Sequence, residues 1–514
     1  MDLPIRGEIH NSNTTPKPKI TTLNTISSSF ENQKIIKALP KNKLSPTPLG
    51  MRISQVGTPW RTVKWIIGAV LLLYFIEQLI ILVLFLVLEG EMIIGNIVLV
   101  FTIPFVFWFA KITRPKLLHM HLFTEDKDGS IIHALRDGTM ILTPVSTRLD
   151  EHLVRNERPL DLPTTKILWA GFSLTILCGA IITLLWIIGM LGETEYSNSQ
   201  GFVIIALIGI LLAGPAWLAG FSLPVLAWVS VVTNRLRIIM VQREVTLLLI
   251  LGMVSTLPAV IMNSLLFPWI VSIFTDVNEA TLNFLTAVIS APIGEEIFKG
   301  VAVWTQRHRF KSQTHAFLIG FIIGLGFAIL ENLQYILFSL SGGPFTFTLT
   351  TLVRGIGSIP GHGLWTGLTA IGLSQIMFEK NINLQNQINK QQPEWVLLDI
   401  KTGFEIYGGS ILIDEVRPLT EKVIPKWWPR TPIGGLLMAI LGHSFWNATS
   451  SIVLLFSDQQ LTLAIILSIF TTIILVAIVL RIGRNILKVL SFDLNRKNEG
   501  EKYGRNLHHD EWPK

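Results

Sequence analysis

Long apolar blocks separated by short polar loops dominate this chain, and that pattern restricts it to a membrane fold. A helix needs about 20 mostly apolar residues to cross the hydrocarbon core of a bilayer. Ten stretches meet or approach that length: roughly 65–88, 92–110, 167–191, 202–232, 245–273, 280–304, 316–340, 349–377, 433–456 and 460–480. The second is short. The fourth contains Gly214, Pro215 and Pro224, and is expected to kink or to be partly re-entrant. Charged residues make up only 15% of the 514, against about 25% in soluble domains. The expected fold class is therefore all-α, a polytopic transmembrane helix bundle of about ten spans.

Loop charges give the orientation. Basic loops fall at 111–166, after span four ("TNRLRIIMVQRE"), after span six ("QRHRFK"), at 379–430 and in the tail beginning "RIGRNILK". The intervening loops "EGE", "GETEYSNSQ", "TDVNE", "SGGPFT" and "SDQQ" contain no Lys or Arg. Strict alternation places both termini in the cytoplasm by the positive-inside rule. Four regions follow: a disordered basic tail over 1–62; an N-terminal transmembrane region over 63–273 with the cytoplasmic loop 111–166; a core over 274–456 with the loop 379–430; and a last span and cytoplasmic tail over 457–514. "RDGT" at 136–139 suggests a turn in the first long loop, and "EWVLLDIKTGFEIYGGSILIDEV" at 394–416 suggests strands in the second. The net charge of +7 is divided among loops, so the implied partner is the lipid bilayer and not nucleic acid. With one cysteine, Cys178, no disulfide forms within the chain, and the thiol is expected to pack in its helix.

Ionisable residues inside such spans are costly and mark function by default. They concentrate in the C-terminal half: Glu295, Glu296 and Lys299 in span six, Glu331 in span seven, His362 in span eight, His443 and Asn447 in span nine. Glu295 and Glu296 lie about 5–6 Å to the cytoplasmic side of their span's middle, and Glu331 about 5 Å to the outer side, at 1.5 Å rise per residue. His362 and His443 fall near the midplane, so all fit one site within a core about 30 Å thick. Spacing puts Lys299 one turn from both Glu295 and Glu296, Tyr335 one turn from Glu331, and Asn447 one turn from His443. Carboxylates with imidazoles suit metal-assisted hydrolysis, in which zinc takes His nitrogen and Glu oxygen, a further carboxylate serves as base, and an amide can stabilise an oxyanion. Bland readings compete. Lys299 can form a buried pair or snorkel to the cytoplasmic surface, Glu331 can hydrogen-bond Tyr335, and each His can be a packing residue. The same carboxylates and histidines would also serve a proton- or cation-coupled transporter, although transporters more often show matched halves.

The motifs resemble those of the PrsW-type intramembrane proteases, related to the CAAX-prenyl and bacteriocin-processing membrane proteases. "EEIFK" (Glu295, Glu296, Lys299) resembles the family's EExxK. "GFAILENLQY" contains Glu331 and Tyr335; "GHGLWTG" contains His362; "HSFWN" contains His443 and Asn447. The resemblance covers about 280–450. It implies an intramembrane endopeptidase of the bacterial cell membrane acting on membrane proteins, with anti-sigma factors among the substrates of bacterial relatives. It further implies that Glu295 or Glu296 activates water, that Glu331, His362 and His443 complete the site and hold zinc if a metal is used, and that Asn447 is an oxyanion donor.

Other polar residues carry weaker expectations. Glu77 and Gln78 read as inter-helix glue, and Arg354 as snorkelling or pairing with a site carboxylate. His119, His121, His133 and His152 read as solvated, and Trp60, Trp427 and Trp428 as an interfacial belt. "RIGRNILKVL" reads as an amphipathic surface helix or a stop-transfer flank.

Overall fold

The computed structural model describes residues 58–114, 117–135, 140–155, 158–191, 200–388, 396–398, 405–408, 425–451 and 461–509. The basic tail through residue 57 and the "RDGT" turn lie outside them. The protein is mostly helical. Its helices are α1 (Pro59–Leu88), α2 (Met92–Thr113), α3 (Thr165–Leu191), α4 (Gln200–Leu236), α5 (Gln242–Phe274), α6 (279–305), α7 (Gln313–Ser339), α8 (343–388), α9 (Pro432–Ser451) and α10 (Leu461–His509). Proline at the first or second position starts α1, α8 and α9, where its missing N–H costs nothing. Asn278 and Ser312 cap α6 and α7 by accepting from the N–H groups of Thr281 and His315.

Seven helical stretches among the described residues are long and apolar enough to cross a membrane. One of them, Gln313–Ile376, is 64 residues long and folds back at Leu340–Gly342 and Gly343, whose φ of +83° needs a glycine. It therefore contains two antiparallel helices, α7 and α8. The expected spans six and nine are the helices α6 and α9. They fall outside the seven because polar residues interrupt their apolar runs, Glu295, Glu296 and Lys299 in α6 and His443 and Asn447 in α9.

Helices α5, α7, α8 and α9 pack through glycines. A Cβ added at Gly324 would stand 2.8 Å from both the His362 carbonyl carbon and Thr366 Oγ1. One at Gly326 would collide with the backbone of Leu249 on α5, and one at Gly435 with that of Leu368 on α8, at 2.6 Å. Lipid tails are as apolar as leucine, so close backbone approach is what holds helices together here. Twenty of the 27 residues of α7 are buried as a result.

Three helices carry a π turn, and in each a proline follows two residues after it: Met262–Leu266 before Pro268, Thr286–Ser290 before Pro292, Arg354–Ser358 before Pro360. Proline lacks an N–H and its ring clashes with the carbonyl four residues back. The wide turn relieves the clash by shifting the register: Phe267, Ala291 and Ile359 donate to the carbonyls of Met262, Thr286 and Arg354. The next carbonyl in each case, that of Asn263, Ala287 or Gly355, loses its helical donor to the proline.

The loop after α2 forms an antiparallel hairpin, β1 (Leu117–Ala134) with β2 (Met140–Arg155), paired from Leu117↔Arg155 to Ala134↔Met140 with register shifts between Glu125 and Ile132. It is a compact unit of its own. A second hairpin, β3 (Val396–Leu398) with β4 (Glu405–Gly408), falls within the stretch expected to hold strands.

Several expectations are corrected. Helix α4 is one continuous helix through Pro215 and Pro224 and not a re-entrant segment. Cys178 is exposed on α3 and is not packed. Glu77 is buried, but neither carboxylate oxygen has a hydrogen-bond partner among the described residues, so it glues nothing. His133 is buried in the β-hairpin and bonds Thr147 Oγ1 at 2.8 Å, so it is not solvated. Trp428 is buried in the helical core while Trp427 is exposed. "RIGRNILKVL" continues α10 and buries Ile486 and Leu490 against the protein instead of lying on the bilayer.

Candidate active site

Four helices converge at the π turns and glycine contacts. Helix α6 contributes Glu295, Glu296 and Lys299, one helical turn beyond Pro292. Helix α7 contributes Glu331, α8 contributes Arg354 and His362 on either side of Pro360, and α9 contributes His443 and Asn447.

Lys299 sits at the centre and is fully buried, so it does not snorkel. Its Nζ donates to Glu296 Oε1 at 2.7 Å and to Glu295 Oε2 at 3.4 Å, and approaches His362 Nδ1 at 2.9 Å. The same ammonium lies 3.9 Å from the centroid of the Phe327 ring, on which His362 stacks. An ammonium only donates, so His362 Nδ1 accepts. The other ring nitrogen, Nε2, therefore carries the proton and lies 2.7 Å from Glu331 Oε2, off the hydrogen-bond axis. His443 is held the opposite way round. Its Nδ1 is 3.0 Å from Glu296 Oε1; the carboxylate accepts, so Nδ1 carries the proton and Nε2 is left with a lone pair, 3.7 Å from Glu295 Oε2. The two imidazoles meet edge to face at 4.9 Å.

Arg354, from the π turn of α8, completes the set. Its Nη1 lies 3.0 Å from Glu331 Oε1 and donates to Asn332 Oδ1 at 3.4 Å. The guanidinium covers the Tyr335 ring at 3.6 Å. Arg354 thus pairs with a site carboxylate, one of its two expected roles, and it stands where a Glu331–Tyr335 bond was expected. Asn447 donates to Ala287 O at 2.9 Å, the carbonyl left without a donor by Pro292. Its amide is engaged in holding α9 to α6. Ser290 Oγ donates to Asn263 Oδ1 at 2.9 Å and ties α6 to α5 in the same way. Sequence reasoning missed Phe327 and Ser290, which carry no charge to mark them.

The donor set fits a metal. Glu295, His362 and His443 each offer one ligand atom, all within 4.8 Å of one another. Two nitrogens and one oxygen with an open position suit zinc, which would take the His362 Nδ1 lone pair that Lys299 now occupies. Glu296 behind His443 Nδ1 is the orienting carboxylate that such histidines usually have. Among the described residues three carboxylates face two fixed cations, Lys299 and Arg354, which leaves room for added positive charge. Glu331, expected among the ligands, contacts His362 but lies outside this three-residue group, where Glu295 stands instead.

Residues 242–389 match a family model described as PrsW family intramembrane metalloprotease. The matched segment is similar to that family and covers less than a third of the chain. Comparison with curated proteins and with solved structures gave no match. The PrsW-type segment runs from α5 into α8 and contains Glu295, Glu296, Lys299, Glu331, Arg354 and His362. His443 and Asn447 on α9 lie beyond it, and so do α1 to α4. With several long apolar helices beside that segment, the chain is an integral, multi-pass membrane protein.

Proposed function

We propose that the chain is an intramembrane endopeptidase that hydrolyses peptide bonds of membrane proteins. The observation that supports this reading best is the convergence of Glu295, His362 and His443 inside an apolar bundle, with Glu296 and Lys299 orienting both imidazoles. The reading includes ten crossings, counting α6, α9 and the α7–α8 pair separately, with both termini cytoplasmic. By the PrsW resemblance it extends to the bacterial cell membrane and to regulators of the anti-sigma-factor kind as substrates.

Glu295, His362 and His443 would hold zinc, which when bound supplies a Lewis acid for the scissile carbonyl and makes water a better nucleophile. The remaining chemistry belongs to the side chains. Glu331 is the most accessible of the three carboxylates, with 20% of its side chain exposed against 12% for Glu295 and none for Glu296. It takes the proton as water oxygen attacks the carbonyl carbon, and returns it to the departing amine nitrogen. His362, 2.7 Å away, steadies Glu331, and Arg354 keeps its other oxygen occupied. Glu296 and Lys299 stay out of the reaction and fix the rings.

The first test is metal content of the purified full chain beside a His362→Ala/His443→Ala variant. About one zinc per chain, lost in the variant, is expected. Absence of metal from folded protein would transfer the base role to Glu295 in a glutamate-type site. Co-expression with a tagged single-span membrane protein tests proteolysis itself. Glu331→Gln is expected to lower cleavage by about 10²–10⁴-fold, and equal cleavage by the variant would remove Glu331 from the mechanism.

A further inference from the structure

We propose that α4, outside the PrsW-type segment, is a positioning element of the active site and acts through Trp217 and Trp228. The two residues are three helical turns apart on one face of α4, with Gly220 and Pro224 between them at helical spacing. Trp217 Nε1 donates to Leu333 O at 3.0 Å, two residues past Glu331 on α7. Trp228 Nε1 donates to Gly355 O at 3.2 Å, one residue past Arg354 on α8. The Glu331–Arg354 ion pair bridges the two helices that α4 grips.

Gly355 O is the carbonyl that Pro360 leaves without a helical donor, and it lies in the π turn that sets Arg354 and leads to His362. In a bilayer such a carbonyl needs a donor from the protein. Indole suits the task, because it donates and never accepts, and its body is apolar. Asn447 answers the same need at Ala287 O on α6. The same site is therefore braced twice in one way, by a side-chain N–H on the carbonyl that a proline frees.

The packing around the bond is tight. A Cβ at Gly355 would strike the Phe172 ring of α3 and stand 3.1 Å from Pro224 Cγ. One at Gly220 would stand 2.8 Å from Thr351 Cγ2 of α8. Trp169 of α3 meets Trp228 edge-on at 5.5 Å, so α3 backs α4. This clamp accounts for α3 and α4, which the family match does not cover: they hold Arg354 and His362 at the distances that Glu331 requires.

Trp228→Phe and Trp217→Phe keep the ring and drop the N–H. Hydrogen–deuterium exchange of the full chain in detergent reads the clamp directly, independently of any activity. Faster exchange across 354–362 is expected in Trp228→Phe and across 331–337 in Trp217→Phe, with neither change in Trp269→Phe, an exposed position on α5. Wild-type exchange in both clamp variants would overturn the proposal. The kinetic half rests on the peptidase reading: kcat on the tagged single-span substrate is expected to fall about 10- to 100-fold with KM unchanged, since small misplacements cost that much. An unchanged kcat, or a loss explained wholly by less folded protein, would also overturn it. If the wild type cleaves nothing, the peptidase reading fails, and the exchange measurement alone decides the clamp.

Discussion

Helix α2 and helix α7 are built from similarly apolar sequence and end up in opposite places. In α2 only Gly95 and Thr102 are buried, while Ile93, Ile97, Val100, Phe107 and Trp108 face outward. In α7 twenty residues are buried. Hydrophobicity cannot separate the two, because lipid and protein interior are equally good solvents for leucine. The difference lies in what apolarity leaves out. Helix α7 has Gly320, Gly324 and Gly326 on the faces where α5 and α8 press in, and it carries Glu331 and Asn332, each with partners on α8. Helix α2 offers neither a row of glycines nor a charge mid-helix. Small residues and partnered polar groups make the core of this membrane protein; bulk apolar content makes only its contact with lipid.

Buried carboxylates sharpen that comparison most. Glu296 in the core is held by Lys299 and His443, whereas Glu77 in α1 has both oxygens without a partner among the described residues. Lys299→Met should therefore destabilise the protein by about 3–5 kcal/mol, since it leaves buried carboxylate charge uncompensated. Lys299→Met/Glu296→Gln should recover part of the loss. Glu77→Leu should cost nothing or stabilise, because a buried polar group without a partner gives way to an apolar one. Unfolding of the full chain in detergent measures all three. If Lys299→Met were as mild as Glu77→Leu, partnered charge would not be what distinguishes the core from the periphery.

The residues of this site were legible in the sequence and their arrangement was not. Mid-span charge picks out Glu295, Glu296, Glu331, His362 and His443, because only function or pairing tolerates it there. Helix ends followed from apolar length for α2 to α7, whereas α8 and α10 run well past the expected 377 and 480 because their polar continuations stay helical. Lys299 was open between snorkelling and pairing, because that depends on how deep α6 sits within the bundle and not on α6 itself. Pro268, Pro292 and Pro360 drew no expectation from the sequence; that each follows a π turn, with a donor brought from 127 or 160 residues away at two of them, depends on contacts that no local pattern contains. The assignment of Glu295 rather than Glu331 to the donor group likewise rests on rotamers at a four-helix meeting point.

Glycine contacts carry the next largest effect. Gly324→Ala places a methyl against the backbone of His362 and the hydroxyl of Thr366, where nothing can yield without moving α8. A cost of about 1–3 kcal/mol is expected from overpacking. Because the clash is with the His residue that faces Glu331, cleavage should fall further than stability alone predicts. Comparing activity per folded molecule with the unfolding free energy separates the two effects. A variant that lost stability and kept its activity per folded molecule would mean that α7–α8 spacing supports the bundle and not the chemistry.

The smallest effect is expected where the same substitution is made outside the core. Gly68 of α1 is exposed, and a Cβ there would meet nothing within 4 Å. Gly68→Ala relieves the backbone entropy of a mid-helix glycine and should stabilise α1 by roughly 0.5–1 kcal/mol. The two glycines thus predict opposite signs for one added methyl, and the sign follows from helix contact alone. A destabilising Gly68→Ala would show that another surface covers this face of α1, a second copy of the chain or a partner helix, and the line between core and lipid-facing helices would have to be redrawn to include it.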